Sequence, residues 1–391
     1  VGLRAAWRAL TSRDLASDQI GWQYRDRYRI GTGNVSVTQE TALRHSAVWA
    51  CLRLRADLES TLPIDAFRMV DGRQVEVTKP LLMVEPYPGV DITEHMFSSR
   101  FDLDRYGNSV GVIHARTALG LPAQIELAPM ADVSARCKGY RVEYWRINGE
   151  KYDPALIWHE KQYTVGGWPL GLSPIAYAAW SIGGYLSAQQ FAIDWFGAGA
   201  MPVGTLRNTK SQITAAKAAE AKGNFKVAVE NRDIFVHGFE WEWTPAQTDA
   251  TTAGFLEERK FGVTDVCRFL GVPADMIDAP NEGSSITYAN VTQRNVQLLV
   301  TNLGPPIVRR ERKWSTALPA PRFVKLNTDA LLRMDPEVRE RIIVGQVAGR
   351  VLAPSEARSL SNRAPFTDAQ LEEFDRVFGK PRQDQPVAKV G

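Results

Sequence analysis

Three cysteines in 391 residues, Cys51, Cys137 and Cys267, are too few, too scattered and odd in number for a disulfide framework, and none forms a C-x-x-C pair. They read as small buried side chains in a reducing compartment. A charge of one sign is missing as well: 47 Lys and Arg against 44 Asp and Glu leave a formal net charge of +3, without the concentrated basic face of a general nucleic-acid binder. His45, His95, His114, His159 and His237 stand apart, with no H-E-x-x-H or His/Cys cluster, so neither a metal nor a cofactor is expected. The start, Val1 to Leu10, carries Arg4 and Arg8 and lacks the apolar core of a secretion signal. One long run, residues 172 to 193, has no charged side chain and matches the length of a membrane span. Ser173, Pro174, Ser181, Gly183, Gly184, Ser187, Gln189 and Gln190 interrupt it, so it reads as a helix buried all round, with no membrane partner. Ala179, Gly183 and Gly184 allow close approach of neighbouring helices, an environment that packing between identical subunits would supply.

Catalytic motifs fail one by one. Gly199-Ala200-Met201-Pro202-Val203-Gly204 has the glycine spacing of a phosphate loop, but Thr205-Leu206 stands where Lys and Ser/Thr would hold phosphate and magnesium. Gly31-Thr32-Gly33 lacks the third glycine and preceding strand of a dinucleotide fingerprint. Asp102-Leu103-Asp104 has no further acid at calcium-loop spacing and reads as a solvated helix end. Glu257 and Glu258 are adjacent on a helix and point in different directions, and no G-x-S-x-G elbow is present. No catalytic residue is indicated. A soluble enzyme of unknown class, with a site assembled from distant residues, stays open as the alternative.

What is present is ordinary globular composition, 44% hydrophobic and 23% charged, with a clear order of periodicities. Residues 1 to 38 are rich in Trp, Tyr and Arg and read as an arm. Thr41 to Ser60 has helical spacing, with Val48 and Leu52 on its core stripe. From Leu62 the period changes to two: Ile64 to Val70 and Gln74 to Thr78 flank Asp71-Gly72, and Tyr140 to Ile147 and Glu150 to Tyr152 flank Asn148-Gly149, both hairpin signals. Val110 to His114 is a further strand and Glu94 to Asp104 a helix. The helix from Ser173 to Phe196 would span roughly 36 Å. Within Ile234 to Thr244, Phe235, His237, Phe239, Trp241 and Trp243 fall on one strand face. Arg322 to Leu326 reads as a strand, Pro336 to Ala348 as a helix with Val338, Ile342 and Ile343 inward, and residues 365 to 391 as a polar tail. The fold class is α+β.

Residues 249 to 318 carry the densest pattern. Phe255, Leu256, Val263, Val266, Phe269 and Leu270 recur at helical spacing up to Gly271-Val272-Pro273, which ends the helix. Asn281-Glu282-Gly283-Ser284-Ser285 is a polar loop. A second helical pattern from Val291 to Leu303 meets Gly304-Pro305-Pro306, where a kink or break is expected, and the basic run Arg309-Arg310-Glu311-Arg312-Lys313 lies beyond, either facing a partner or forming a solvated helix face.

Cys267 to Pro273, Tyr288-Ala289-Asn290-Val291-Thr292-Gln293 and Arg309-Arg310-Glu311 resemble the portal proteins of tailed bacteriophages, specifically the compact type of lambda-like long-tailed phages. Ser46 to Leu54 leading to Thr61-Leu62-Pro63, Gly107-Asn108, Gly171-Leu172-Ser173-Pro174, Asp335 and Gly349 to Arg358 extend the resemblance over most of the chain, although Ser355 stands where asparagine is expected before Glu356. The resemblance implies a portal-like subunit with a mixed α/β wing, helical stem and small α/β clip, closing with identical copies into a ring of about twelve. Helices about 10 Å apart leave a bore of roughly 10 Å in a ring of six and roughly 28 Å in a ring of twelve, and only the latter admits a duplex about 20 Å wide. The parts it implies are an arm at 1–38, the first part of the wing at 39–171, a stem helix at 172–196, the clip at 197–248, a second stem helix at 249–277 and a tunnel loop at 278–286. A long kinked helix and strand return to the wing at 287–334, and a crown-like helical segment at 335–364 precedes the tail at 365–391. Asn281, Glu282, Gly283, Ser284 and Ser285 would touch passing double-stranded DNA; Phe235, Phe239, Trp241 and Trp243 would form the clip interface; Ala179, Gly183 and Gly184 would pack the stem. The implied partners are further copies of the chain, the terminase large subunit, the major capsid protein and a head-tail adaptor, and the implied location is the virion, after assembly in the host cytoplasm. Near-neutral charge suits a conduit, since each phosphate neutralised would add drag.

Overall fold

The computed structural model describes residues 37–197, 204–209, 212, 214–230, 241–245, 262–277, 297–328, 336–360 and 363–379. The chain divides into two compact units, Val1–Asn327 and Thr328–Gly391.

In the first unit, a 3₁₀ turn (Thr41–Arg44) precedes α1 (Ser46–Ser60). The helix expected to run unbroken from Thr41 is interrupted at His45, which is extended and caps α1 by accepting from the Ala47 N–H at 3.2 Å. β1 (Ile64–Val70) and β2 (Arg73–Val77) form the hairpin read from Asp71-Gly72, both of which take positive φ. Asp91 caps α2 (Ile92–Tyr106) through the Glu94 N–H at 2.8 Å. β3 (Asn108–Arg116) follows, then β4 (Pro122–Leu127), β5 (Val133–Lys138), β6 (Arg141–Ile147), β7 (Glu150–Tyr152) and β8 (Ile157–Lys161). They make two antiparallel sheets, β4-β3-β8 and β5-β6-β7. Their inward residues, among them Val110, Val133, Ala135, Trp145, Ile147 and Ile157, form one core with Tyr106 and Leu170.

The charge-free run becomes α3 (Pro174–Gly197). It is followed by β9 (Gly204–Asn208), α4 (Ala215–Glu230) and β10 (Trp241–Pro245), with β9 and β10 paired antiparallel. α5 (262–270) ends at Gly271, whose φ of +63° only glycine adopts without strain. One face of α3, with Ile175, Ala178, Ala179 and Ile182, packs with Val48, Cys51 and Leu52 of α1 and Val266, Cys267 and Leu270 of α5 in a second core. The expectation that α3 is buried all round fails for the single chain: Tyr177 and Ile193 are exposed and Trp180 is 70% exposed.

Of the kink or break expected at Gly304-Pro305-Pro306, the break is absent, and the helix shows an irregular turn instead. A π-helical turn (Leu298–Leu303) runs directly into α6 (Gly304–Ser315), and the Gly304 N–H bonds to the Leu299 carbonyl. The prolines thereby fall at the first positions of α6, where a missing N–H costs little. β11 (Arg322–Leu326) then returns to pair antiparallel with β1, Ile64 opposite Leu326.

The second unit contains α7 (Pro336–Ala348), α8 (Pro354–Leu360) and α9 (Asp368–Phe378). Ile342, expected to face inward on α7, is exposed, and α9 occupies part of the expected polar tail. Its start is a capping box in which Thr367 and Gln370 bond reciprocally.

Candidate functional site

Five of the segments that carry the resemblance, Ser46 to Leu54, Gly107-Asn108, Gly171 to Pro174, Cys267 to Pro273 and Arg309 to Glu311, lie at or beside two adjoining polar clusters in the first unit, while Tyr288 to Gln293 and Asp335 lie outside the described residues. One cluster sits where α3 begins. Gly107 ends α2 at a φ of +73°, and a Cβ there would lie 2.0 Å from the Leu172 carbonyl oxygen, so both backbone conformation and space demand glycine. Asn108 then uses its whole amide: Nδ2 donates to the Tyr106 and Gly171 carbonyls at 2.9 Å, while Oδ1 accepts from the Gly171 N–H at 2.8 Å and His159 Nε2 at 2.9 Å. Ser173 is used as completely. Its Oγ donates to the Arg105 carbonyl at 2.5 Å and accepts from Gln39 Nε2 at 2.9 Å and the Ala176 N–H at 3.2 Å, which caps α3. Gly107-Asn108 and Gly171 to Pro174, two separate motifs in the sequence, are therefore one joint between the sheet region and the long helix.

The other cluster is a buried chain of alternating charge. Arg55 of α1 donates to Asp104 at 2.9 Å; Asp104 accepts from Arg100; Arg100 reaches Glu59 at 3.1 Å; Glu59 accepts from Arg310 of α6 at 2.9 Å; and Arg310 reaches Glu160 of β8 at 3.0 Å. All six are buried. The indole N–H groups of Trp158 and Trp314 both donate to Glu160 at 3.1 Å, and Arg310 donates also to Ser99 and to the Met96 carbonyl. At the far end Arg55 donates to the Leu270 carbonyl at 2.9 Å, while Asn302 donates to Gly271 at 2.7 Å, tying in the turn at Gly271-Val272-Pro273. Three cations and three anions balance, which is the condition for keeping any of them out of water. Such a chain adds little net stability over apolar packing, yet it heavily penalises any arrangement that separates its members.

The charges hold one another in place. Burial works against ionisation of Asp104 and Glu160, but Arg100 and Arg55 in the first case, and Arg310 in the second, outweigh it and hold both carboxyls below their usual range. Burial likewise opposes the charge of Arg310, and Glu160 and Glu59 more than restore it. The neighbouring histidines stay neutral: burial brings His95 down to about 4, and burial with Lys161 and Lys313 brings His159 down to about 3. The cluster thus holds neutral imidazoles, saturated carboxylates and guanidinium groups, and no nucleophile beside a free base. Its chemistry is positioning. No group of three or more His, Cys, Asp or Glu that could hold a metal occurs among the described residues.

Two sequence expectations are corrected here. Arg309 to Lys313 is a solvated basic face only in part: Arg309 and Arg312 are exposed, but Arg310 and Glu311 point inward, and Glu311 accepts from the Leu326 N–H at 3.0 Å and from Lys325 at 2.8 Å. Asp102-Leu103-Asp104 is not a solvated helix end, since Asp104 sits in the charge chain. The six members were missed as a set, although their signal was there: Val48, Leu52, Arg55 and Glu59 share one helical stripe, and Ile307, Arg310 and Trp314 another.

Of the stem residues, Ala179 and Gly183 are buried, whereas Gly184 is partly exposed with nothing within 4 Å of where a Cβ would stand. Trp241, partly buried, pairs with Asn208, and Trp243 with Leu206, across the β9–β10 ribbon. Phe235, Phe239 and Asn281, Glu282, Gly283, Ser284 and Ser285 lie outside the described residues. Among those that are described, no helix is long and apolar enough to cross a membrane.

Comparison with known proteins adds an independent line. The family described as "Phage portal protein" matches residues 46–362. The chain is 26% identical over 403 residues to a probable portal protein of Streptomyces phage phiC31, covering 94% of this chain and 87% of that one. It is 25% identical over 355 residues to the portal protein of Enterobacteria phage HK97, covering 85% and 82%. Among solved structures, an HK97 family phage portal protein from Corynebacterium diphtheriae superposes with a TM-score of 0.61 at 18% identity, covering 77% of this chain and 100% of that one. A chain in the neck of a native gene transfer agent particle, computed with C12 symmetry, gives a TM-score of 0.54 at 16% identity, covering 88% and 99%.

Proposed function

The chain belongs to the phage portal protein family, serving DNA packaging and ejection at a capsid vertex, and from that premise we propose that about twelve copies close into a ring around a channel for double-stranded DNA. We assign it to the compact type of lambda-like long-tailed phages. The observation that carries the reading is the family match across residues 46–362, reinforced by the meeting of Gly107-Asn108 with Gly171 at the α3 joint and by the place of Arg310 in the charge chain.

The twelvefold count is supported by the C12 symmetry of the gene transfer agent neck and by the bore needed for a duplex of about 20 Å. The subunit contact is assigned to the outer face of α3. It carries no charge before Asp194, and it presents Tyr177 and Trp180 to solvent in the single chain, the kind of surface an interface covers. Ala179 and Gly183 pack the stem within the subunit, and Gly184 stands open for a neighbour. Phe235, Phe239, Trp241 and Trp243 form the clip contact. Asn281 to Ser285 form the tunnel loop, whose amide, hydroxyls and one carboxylate at Glu282, without Lys or Arg, favour weak and passing contact with phosphate. The ring docks the terminase large subunit during packaging, then a head-tail adaptor, within a shell of major capsid protein.

Electron microscopy of assembled particles, with a gold label on a C-terminal tag, tests the reading. A label at one vertex per particle and a twelvefold ring in averaged views are expected. Labels on every vertex, or particles that fill with DNA when the chain is deleted, would overturn it.

A further inference from the structure

Cys51 and Cys267 are separated by 216 residues, yet their sulfurs lie 3.9 Å apart between α1 and α5. Their exposures are 0% and 2%. The approach is held in register: one turn further on, Arg55 of α1 grips the Leu270 carbonyl of α5, so the contacts 51–267 and 55–270 keep the two helices in step. Val48, Leu52, Ala178, Ile182 and Val266 enclose the pair in the same core. A disulfide requires sulfurs at about 2.05 Å and Cβ atoms about 3.5–4.5 Å apart. The sulfurs must therefore approach by about 2 Å to bond.

We propose that Cys51 and Cys267 form a modification site, an intramolecular disulfide made on exposure to a small-molecule disulfide oxidant, which fastens α1 to α5. The Cys267 thiolate attacks the oxidant R–S–S–R, forming Cys267–S–S–R and releasing one thiol R–SH. The Cys51 thiolate then attacks the Cys267 sulfur, forming the Cys51–Cys267 bond and releasing the second R–SH. Two protein thiols are oxidised, one external disulfide is reduced, and the two protein protons end on the released thiols. Cys267 attacks first because the hydrogen bond shared by the two sulfurs holds its thiol below the ordinary value, while the same bond, with burial, pushes Cys51 up. Attack waits on local opening of the core, so mild urea should accelerate it. The bond encloses β1 to β10 and α2 to α4 in its loop, and so constrains every element between the two helices.

The test uses the full chain with Cys137→Ser, incubated with oxidised glutathione with and without mild urea, quenched with N-ethylmaleimide, digested without reduction and read by mass spectrometry. A cross-linked pair of peptides containing Cys51 and Cys267 is expected, about 2 Da lighter than the summed reduced peptides and lost on adding dithiothreitol. The further variant Cys267→Ser should leave Cys51 as free thiol. Alkylation of both thiols after prolonged oxidation in mild urea, a glutathione adduct at Cys267 that never resolves, or cross-links only between chains would overturn the proposal. None of these outcomes depends on ring formation.

Discussion

The two units of this chain use charged and polar side chains in opposite ways. In the first, Arg310 reaches Glu59 across 251 residues and Glu160 across 150. In the second, Arg358 donates to the Ala364 carbonyl six residues on and stacks over Phe366, and Thr367 and Gln370 cap one helix between themselves. Among the described side chains of the second unit only Ala357 is buried, whereas the first buries six alternating charges and two apolar cores. Burial decides what a polar group can do. Where water is excluded, a charge must find its counterpart wherever the topology puts it; where water remains, only neighbours in sequence stay long enough to matter.

That contrast can be broken at graded cost. Arg310→Ala should be the most damaging, leaving Glu59 and Glu160 short of a partner and costing about 4 kcal/mol; urea unfolding of the first unit should shift accordingly while the helicity of the second persists. Gly107→Ala should cost about 3 kcal/mol, from positive φ and from collision with the Leu172 carbonyl, and hydrogen exchange should quicken first at residues 171–176. Acid should act next. His95 is neutral in the fold down to about 4 but protonates near its ordinary 6.5 when unfolded, so the unfolded state binds more protons and stability falls as pH drops between those values. The slope is about 1.4 kcal/mol per pH unit. His159 adds in the same sense down to about 3, and Asp104 and Glu160 join below the ordinary carboxylate range. Asp102, pushed up to about 7 by burial against the pull of Arg105, acts the other way from there down to the ordinary carboxylate range and should offset about one of the two histidines. Thermal melts from pH 7 to 4 measure the sum; a melting point that rises on acidification would contradict the assignment of neutral histidines. The smallest effect belongs to the second unit: Thr367→Ala should cost α9 about 1 kcal/mol, seen as faster exchange at Gln370 and Leu371 with the first unit untouched.

Legibility followed the same division. The hairpins at Asp71-Gly72 and Asn148-Gly149, the strand Arg322 to Leu326 and the long helix from Ser173 were readable because turn chemistry and period are local properties. The family was readable from several short motifs in order. What the sequence hid was why those motifs exist. Arg310 read as surface because arginine in a basic run is usually solvated, and only the distant Glu59 and Glu160 make its burial tolerable. Gly107-Asn108 and Gly171 to Pro174 read as two separate motifs, although Asn108 and Gly171 complete each other's hydrogen bonding. The prolines after Leu303 read as a kink or break because a one-dimensional pattern cannot show that a π-helical turn has made them the first residues of a new helix.

The joint at Ser173 sets a tolerance for whatever α3 holds in place. This rod of 24 residues extends about 36 Å from its cap, so a wobble of about 5° at the near end would swing its tip sideways by roughly 3 Å. With its hydroxyl tied to Arg105, Gln39 and Ala176, the pivot has little play, and aim at the distal end is inherited from stiffness at the base.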